Sequence, residues 1–232
     1  MRWTLPDTLR DKKIYKVGVI YVIVYVILAA VANYFTWKEG PVTELTLGIL
    51  VSWGLLYLPF FIFVIAADWR IKEVGITLNK KVFLIVLFSL VVGSYLYIRG
   101  VDIQIGKWQY SLIEAFGRTG EELFFRGFVY TLVLKLYQDK KNSWQWAVLV
   151  SAVLFTAIHT QTLLPEYSTS IFQVFLISLV ITYLRHLTDS ILPGITLHCL
   201  LKGGTYSVLF GWAIYVIFVF WSYCKGEYGG KK

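Results

Sequence analysis

The sequence predicts an all-α fold, a polytopic transmembrane bundle of about eight membrane helices, and three observations predict it. Of 232 residues, 57% are hydrophobic, and the mean hydropathy is +0.65. The apolar residues form long runs rather than alternating with polar ones. The charged residues cluster between those runs. A soluble domain of this length would bury one core behind a polar exterior. Long apolar runs with charged punctuation are instead the pattern of a chain that uses lipid as solvent. Helices are the default there, because hydrocarbon leaves no partner for an unpaired backbone group.

Eight segments follow one another along the chain: Val17–Ala32, Leu45–Ala67, Val82–Ile98, Tyr110–Tyr137, Trp144–His159, Ser170–Leu184, Ile191–Lys202 and Tyr206–Tyr223. Several approach the ~20 residues a helix needs to cross hydrocarbon, while the seventh is short. Trp37, Trp69, Trp108, Trp144 and Trp221 fall near segment ends, where an aromatic belt would stand. The first segment follows a basic stretch and contains Ala30-Val31-Ala32, which resembles a cleavage site for a leader. It runs on into Tyr34-Phe35 and is followed by further spans, so an uncleaved first helix is the expectation.

Positive charge sets the orientation. With the N-terminus in the cytosol, Arg2, Arg10, Lys12, Lys13, Lys16, Arg70, Lys72, Lys80, Lys81, Lys135, Lys140, Lys141, Arg185, Lys225, Lys231 and Lys232 fall inside. Only Lys38, Arg99 and Lys107 fall outside. That asymmetry obeys the positive-inside rule and puts both termini in the cytosol, since seven spans would strand the basic tail outside. The formal charge of +8 is thus accounted for by loops. No basic face or stripe points to nucleic acid. Cys199 and Cys224 lie in apolar segments and offer neither a disulfide framework nor a zinc-finger spacing. Without a linker, low-complexity tract or visible repeat, residues 1–232 read as a single membrane domain whose motif-bearing core is about 110–205.

Ionisable residues inside apolar sequence are costly and by default mark function. They are Glu114, Arg118, Glu121, Glu122, Arg126, His159, His198 and Lys202, in segments four, five and seven. Glu114, Arg118, Glu122 and Arg126 follow at i, i+4 steps and would line one helix face, each carboxylate N-terminal to an arginine. Glu121 stands about 100° round from Glu122. Its i+4 position is Phe125, although Arg118 at i−3 could reach it. One carboxylate is therefore committed to a partner, and its neighbour is available as a general base. Phe155 and His159 share a face at i, i+4, as do His198 and Lys202. His186, beside Arg185 in a polar turn, reads as a loop residue.

The stretch Gly120-Glu121-Glu122-Leu123-Phe124-Phe125-Arg126-Gly127, then Phe155-x-x-x-His159, then Leu192-Pro193-Gly194 leading to His198, resembles the CPBP family. That family comprises type II CAAX prenyl endopeptidases and the bacteriocin-processing or immunity proteins also called Abi proteins. The resemblance covers roughly the C-terminal half, and it implies an intramembrane endopeptidase of glutamate type. Glu121 and His159 would activate a water, His198 would help hold the oxyanion, and Glu122, Arg126 and Phe155 would shape the site. One position departs from the family: an asparagine or similar residue usually stands four places after the last histidine, and here it is Lys202. Lys202 could serve as a charged oxyanion donor, or it could pair with Glu121 and disable the base.

Glu121, His159 and His198 are zinc-ligand types. There is no H-E-x-x-H, however, and the resemblance implies a metal-free mechanism without cofactor. The implied partners are a membrane-associated peptide or lipidated protein as substrate and the lipid bilayer around it. The alternative is a catalytically silent protein of the same fold, acting as an immunity factor or partner of a membrane sensor. A proton-coupled transporter is a weaker reading, since no inverted repeat is visible. Compact length fits a prokaryotic plasma membrane.

Depth poses a difficulty. Glu121 and His159 should lie roughly 20–25 Å from the cytosolic ends of their helices, and His198 only about 12 Å from its own. They meet only if the turn around Pro193 dips into the bilayer or the fourth helix projects into the cytosol. Irregular backbone of that kind is tolerated where it lines a polar cavity.

Overall fold

The protein is described here from a computed structural model, which describes residues 9–38, 47–66, 69–84, 86–88, 91, 108–164 and 170–225. Among them there is no strand. The helices are α1 (Leu9–Lys38), α2 (Leu47–Ala66), α3 (Trp108–Glu121), α4 (Tyr130–Leu136), α5 (Ser143–Ala157), α6 (Ile171–Thr188) and α7 (Leu192–Cys224). A π-helical stretch, Glu122–Val129, joins α3 to α4, and a 3-10 turn, Thr160–Leu163, follows α5. The third apolar segment is described only in part, as helical residues 80–84 and 86–88; the rest of it lies outside the described residues.

The bundle is inverted relative to a soluble domain. Val17, Ile20 and Ile27 on α1, Phe172 and Val180 on α6, and Val216, Ile217 and Phe220 on α7 are all exposed. Buried with the aromatic core are Thr119, Glu122, Arg126, Ser151, Ser178, Thr182, Thr196, His198 and Ser207. Polar groups inside and apolar side chains outside are what a lipid solvent selects. Among the described residues, Ile14–Tyr34, Ile171–Thr188 and Ser207–Cys224 are long and apolar enough to cross a membrane. The chain is a helical integral membrane protein.

Helical residues run from Leu192 to Cys224 in α7, yet this element is no straight rod. A straight helix would separate residues 196 and 212 by about 24 Å. Instead Trp212 Nε1 donates to Thr196 Oγ1 at 3.0 Å. Likewise a Cβ on Gly211 would touch both Ile195 and Cys199. The chain therefore folds back between Cys199 and Gly211. The seventh and eighth apolar segments are the two antiparallel halves of α7, and the missing side chain of Gly211 lets them close.

The segment 69–79 forms a strap in which Trp69, Ile71, Val74, Gly75 and Ile76 are buried. Thr77 O accepts from Ser190 Oγ at 2.9 Å and from Tyr215 Oη at 2.7 Å. Ile191 N donates to Gly75 O at 2.9 Å, and Arg185 Nη2 to Glu73 O at 2.9 Å. Gly75, at φ 88°, adopts a left-handed conformation, and a Cβ there would strike the Arg185 guanidinium. These bonds satisfy the backbone of a turn that lies deep in the bundle. Ser190 meets Tyr215 Oη at 3.0 Å, and Tyr215 precedes the end of α7 by about 14 Å of helix. Pro193 stands in the first turn of α7, where its missing N–H costs nothing.

Two expectations are corrected. Trp69 is not in an interfacial belt but buried against Phe63, with ring centroids 4.9 Å apart. It caps the aromatic core beneath the Lys135 ammonium, 5.2 Å from its ring. His186 is not a loop residue. It lies in α6, stacks on Trp144 at 4.4 Å and 4°, and meets Tyr130 Oη through Nδ1 at 3.1 Å.

Candidate active site

The fourth apolar segment loses its simple register at the residues of interest. Glu121 ends α3 and Glu122 opens the π-helical stretch. A π turn widens the helix and re-aims side chains, and such turns gather at functional sites. Phe125 O, within that turn, accepts both the Tyr130 N–H and Ser151 Oγ from α5 at 2.6 Å. The irregular backbone is thus tied to its neighbour helix.

Glu122 is fully buried and holds two partners. Arg126 Nη1 lies 3.2 Å from its Oε1, and His198 Nδ1 lies 3.0 Å from the same oxygen. Arg126 Nη2 in turn donates to Ser178 Oγ on α6 at 2.8 Å, and the guanidinium stacks over the Phe155 ring at 4.1 Å. Glu122 Oε2 presses against the Cα of Gly194, where any Cβ would collide with it. Glycine one turn before His198 therefore brings α7 within reach of the carboxylate.

Glu121 is 7% exposed. Its Oε1 accepts from Arg118 Nη1 at 2.9 Å, the i−3 arginine that the sequence placed within reach. Its Oε2 lies 3.5 Å from His198 Nε2, close enough for charge interaction. That oxygen accepts no hydrogen bond among the described residues, because 3.5 Å without good alignment does not make one.

His198 thus bridges the two glutamates. A carboxylate can only accept, so Nδ1 carries the proton given to Glu122, and the neutral ring turns a lone pair at Nε2 toward Glu121. α5 ends at Ala157, so His159 falls just past the helix, at φ −92° and ψ 42°. Its Nδ1 donates to Phe155 O at 2.8 Å, which again leaves Nε2 as the accepting nitrogen. Both imidazoles pack on Phe155, with ring centroids at 4.5 Å for His159 and 5.7 Å for His198. Glu121, Glu122, Arg126, Phe155, His159 and His198 accordingly form one cluster from three separate segments. Lys202 continues the backbone of α7, but its side chain and that of Glu114 lie outside the described residues. No three His, Cys, Asp or Glu side chains among the described residues are grouped as ligands for a metal ion.

Sequence reasoning missed Ser178 and Gly194. Ser178 carried a signal, being a hydroxyl in the apolar run of α6 with Thr182 one turn on. Gly194 carried none beyond its place beside Pro193.

The fold and the cluster define a class: a helical integral membrane protein with a buried Glu/Arg/His site on irregular backbone. Residues 105–203 match the family model described as type II CAAX prenyl endopeptidase Rce1-like. This is the region that bears the three motifs, and over it the chain is similar to that family of CAAX-protease-like intramembrane endopeptidases. No curated protein and no solved structure gives a match.

Proposed function

We propose that the chain, acting as one membrane domain, is an intramembrane endopeptidase in which Glu121 activates a water for attack on a peptide carbonyl. The observation that carries this is the setting of Glu121 Oε2, a buried carboxylate oxygen that accepts no hydrogen bond among the described residues and faces a histidine 3.5 Å away. Water placed there gives its proton to Oε2 as its oxygen bonds to the carbonyl carbon. His159 Nε2 helps orient that water. Passed on to His198 Nε2, the proton makes an imidazolium between two carboxylates, and its N–H then faces the tetrahedral oxygen. Collapse breaks the C–N bond and returns the proton to the leaving amine. Carboxylate base and positioned donor are the two needs of acyl transfer. Glu122, Arg126 and Phe155 hold the histidines in place.

The substrate is a membrane-associated peptide or lipidated protein, the setting a prokaryotic plasma membrane with both termini cytosolic, and no metal, cofactor or nucleic acid is required. One observation favours a second reading, a silent immunity factor or sensor partner: Arg118 already occupies Glu121 Oε1. The test is cleavage of a quenched-fluorescent peptide library, prenylated peptides included, by purified wild type, Glu121→Ala and Lys202→Asn. Cleavage by wild type that vanishes in Glu121→Ala is expected. No cleavage by wild type, with activity appearing in Lys202→Asn, would establish the silent reading.

A further inference from the structure

Arg118 stands outside the three motifs, yet it is the cation that touches Glu121. Its Nη1 donates to Oε1 at 2.9 Å, and its side chain is 18% exposed against 9% for Glu121. Arg126 differs in kind, with no exposed surface and with Glu122 at 3.2 Å and Ser178 at 2.8 Å as its partners. Each glutamate therefore has its own arginine, one sealed and one at the rim. The terminal torsion of a glutamate is broad, so without an anchor the carboxylate plane turns over a wide range. A planar guanidinium ends that freedom by directing a charge-assisted bond at one oxygen.

We infer that Arg118 is a positioning residue: it holds Glu121 by Oε1 so that Oε2 alone is presented to His198 and the reacting water. The inference rests on the peptidase reading for its catalytic consequence, but the contact can be tested without it. A misplacement of about 1 Å costs on the order of 10²-fold in rate, so Arg118→Gln should lower kcat by that order while leaving KM within about twofold. Arg118→Lys keeps the charge and the reach and should restore most of kcat. A merely structural role would not be rescued in this way or divide kcat from KM.

The second measurement needs no cleavage. Wild type, Arg118→Gln and Arg118→Lys are treated in detergent with dicyclohexylcarbodiimide, which adds to carboxyl groups in apolar surroundings that are not held in an ion pair. The adducts are mapped by mass spectrometry. Weak labelling of Glu121 in wild type and Arg118→Lys, with strong labelling in Arg118→Gln, is the expected result. Equal labelling of Glu121 in all three proteins, or an unchanged kcat in Arg118→Gln, overturns the inference. Should wild type cleave nothing while the labelling follows the expected pattern, the peptidase reading fails and the positioning contact stands.

Discussion

Glu122 and His198, seventy-six positions apart in the chain, are joined by a 3.0 Å contact between Oε1 and Nδ1. That contact fixes the tautomer of His198, and through it the face that the histidine turns to Glu121. Its foundation is the ion pair behind it, Glu122 with Arg126, where neither side chain has exposed surface.

Breaking one half of that pair leaves a lone charge in a low dielectric. Glu122→Leu should therefore destabilise the protein by about 3–5 kcal/mol. The double variant Glu122→Leu/Arg126→Met removes both charges and should recover most of that loss, because well-packed apolar replacements of buried ion pairs are often neutral. Thermal unfolding in detergent measures both, and cleavage should stay absent in the double variant. Equal destabilisation by the single and double variants would refute the pairing argument.

Gly194 separates placement from stability in another way. A Cβ at this position collides with Glu122 Oε2 and also crowds Ile181. In Gly194→Ala the carboxylate must move, carrying the His198 contact with it. The expected outcome is a loss of activity on the order of 10²-fold, with unfolding lowered by only about 1–3 kcal/mol, the range for overpacking. Activity close to wild type would mean that the Glu122 position is not needed.

The fold-back of α7 predicts proximity that a straight helix forbids. Thr196 and Trp212 are bonded at 3.0 Å, so cysteines at these two positions, placed in a background free of Cys199 and Cys224, should cross-link with a short bismaleimide. A helix running straight from Leu192 to Cys224 would hold positions 196 and 212 about 24 Å apart and give no intramolecular product.

The same reversal bears on topology. With α7 counted as two passes, the apolar segments number eight, and the basic clusters at both ends of the chain belong on one side. Fluorescent reporters fused to either terminus should light up in the cytosol, while phosphatase fusions at the same points stay inactive. An active C-terminal phosphatase fusion would mean that one segment does not cross.

Much of this protein was legible in its sequence because lipid imposes simple rules. Long apolar runs had to be helices, and charges stranded within them had to gather, so the class of fold and the members Glu121, Glu122, Arg126, Phe155, His159 and His198 could be named in advance. The sequence could not assign partners. An unbroken i, i+4 ladder left Glu121 available, whereas in the folded chain Arg118 takes one of its oxygens. Nor could it show that Ser178 anchors Arg126, that Gly194 admits the Glu122 carboxylate, or that Trp69 is core rather than belt. Hydropathy and spacing report how a segment meets its solvent. Which atom faces which is decided where segments meet, and that depends on close packing between residues far apart in the chain.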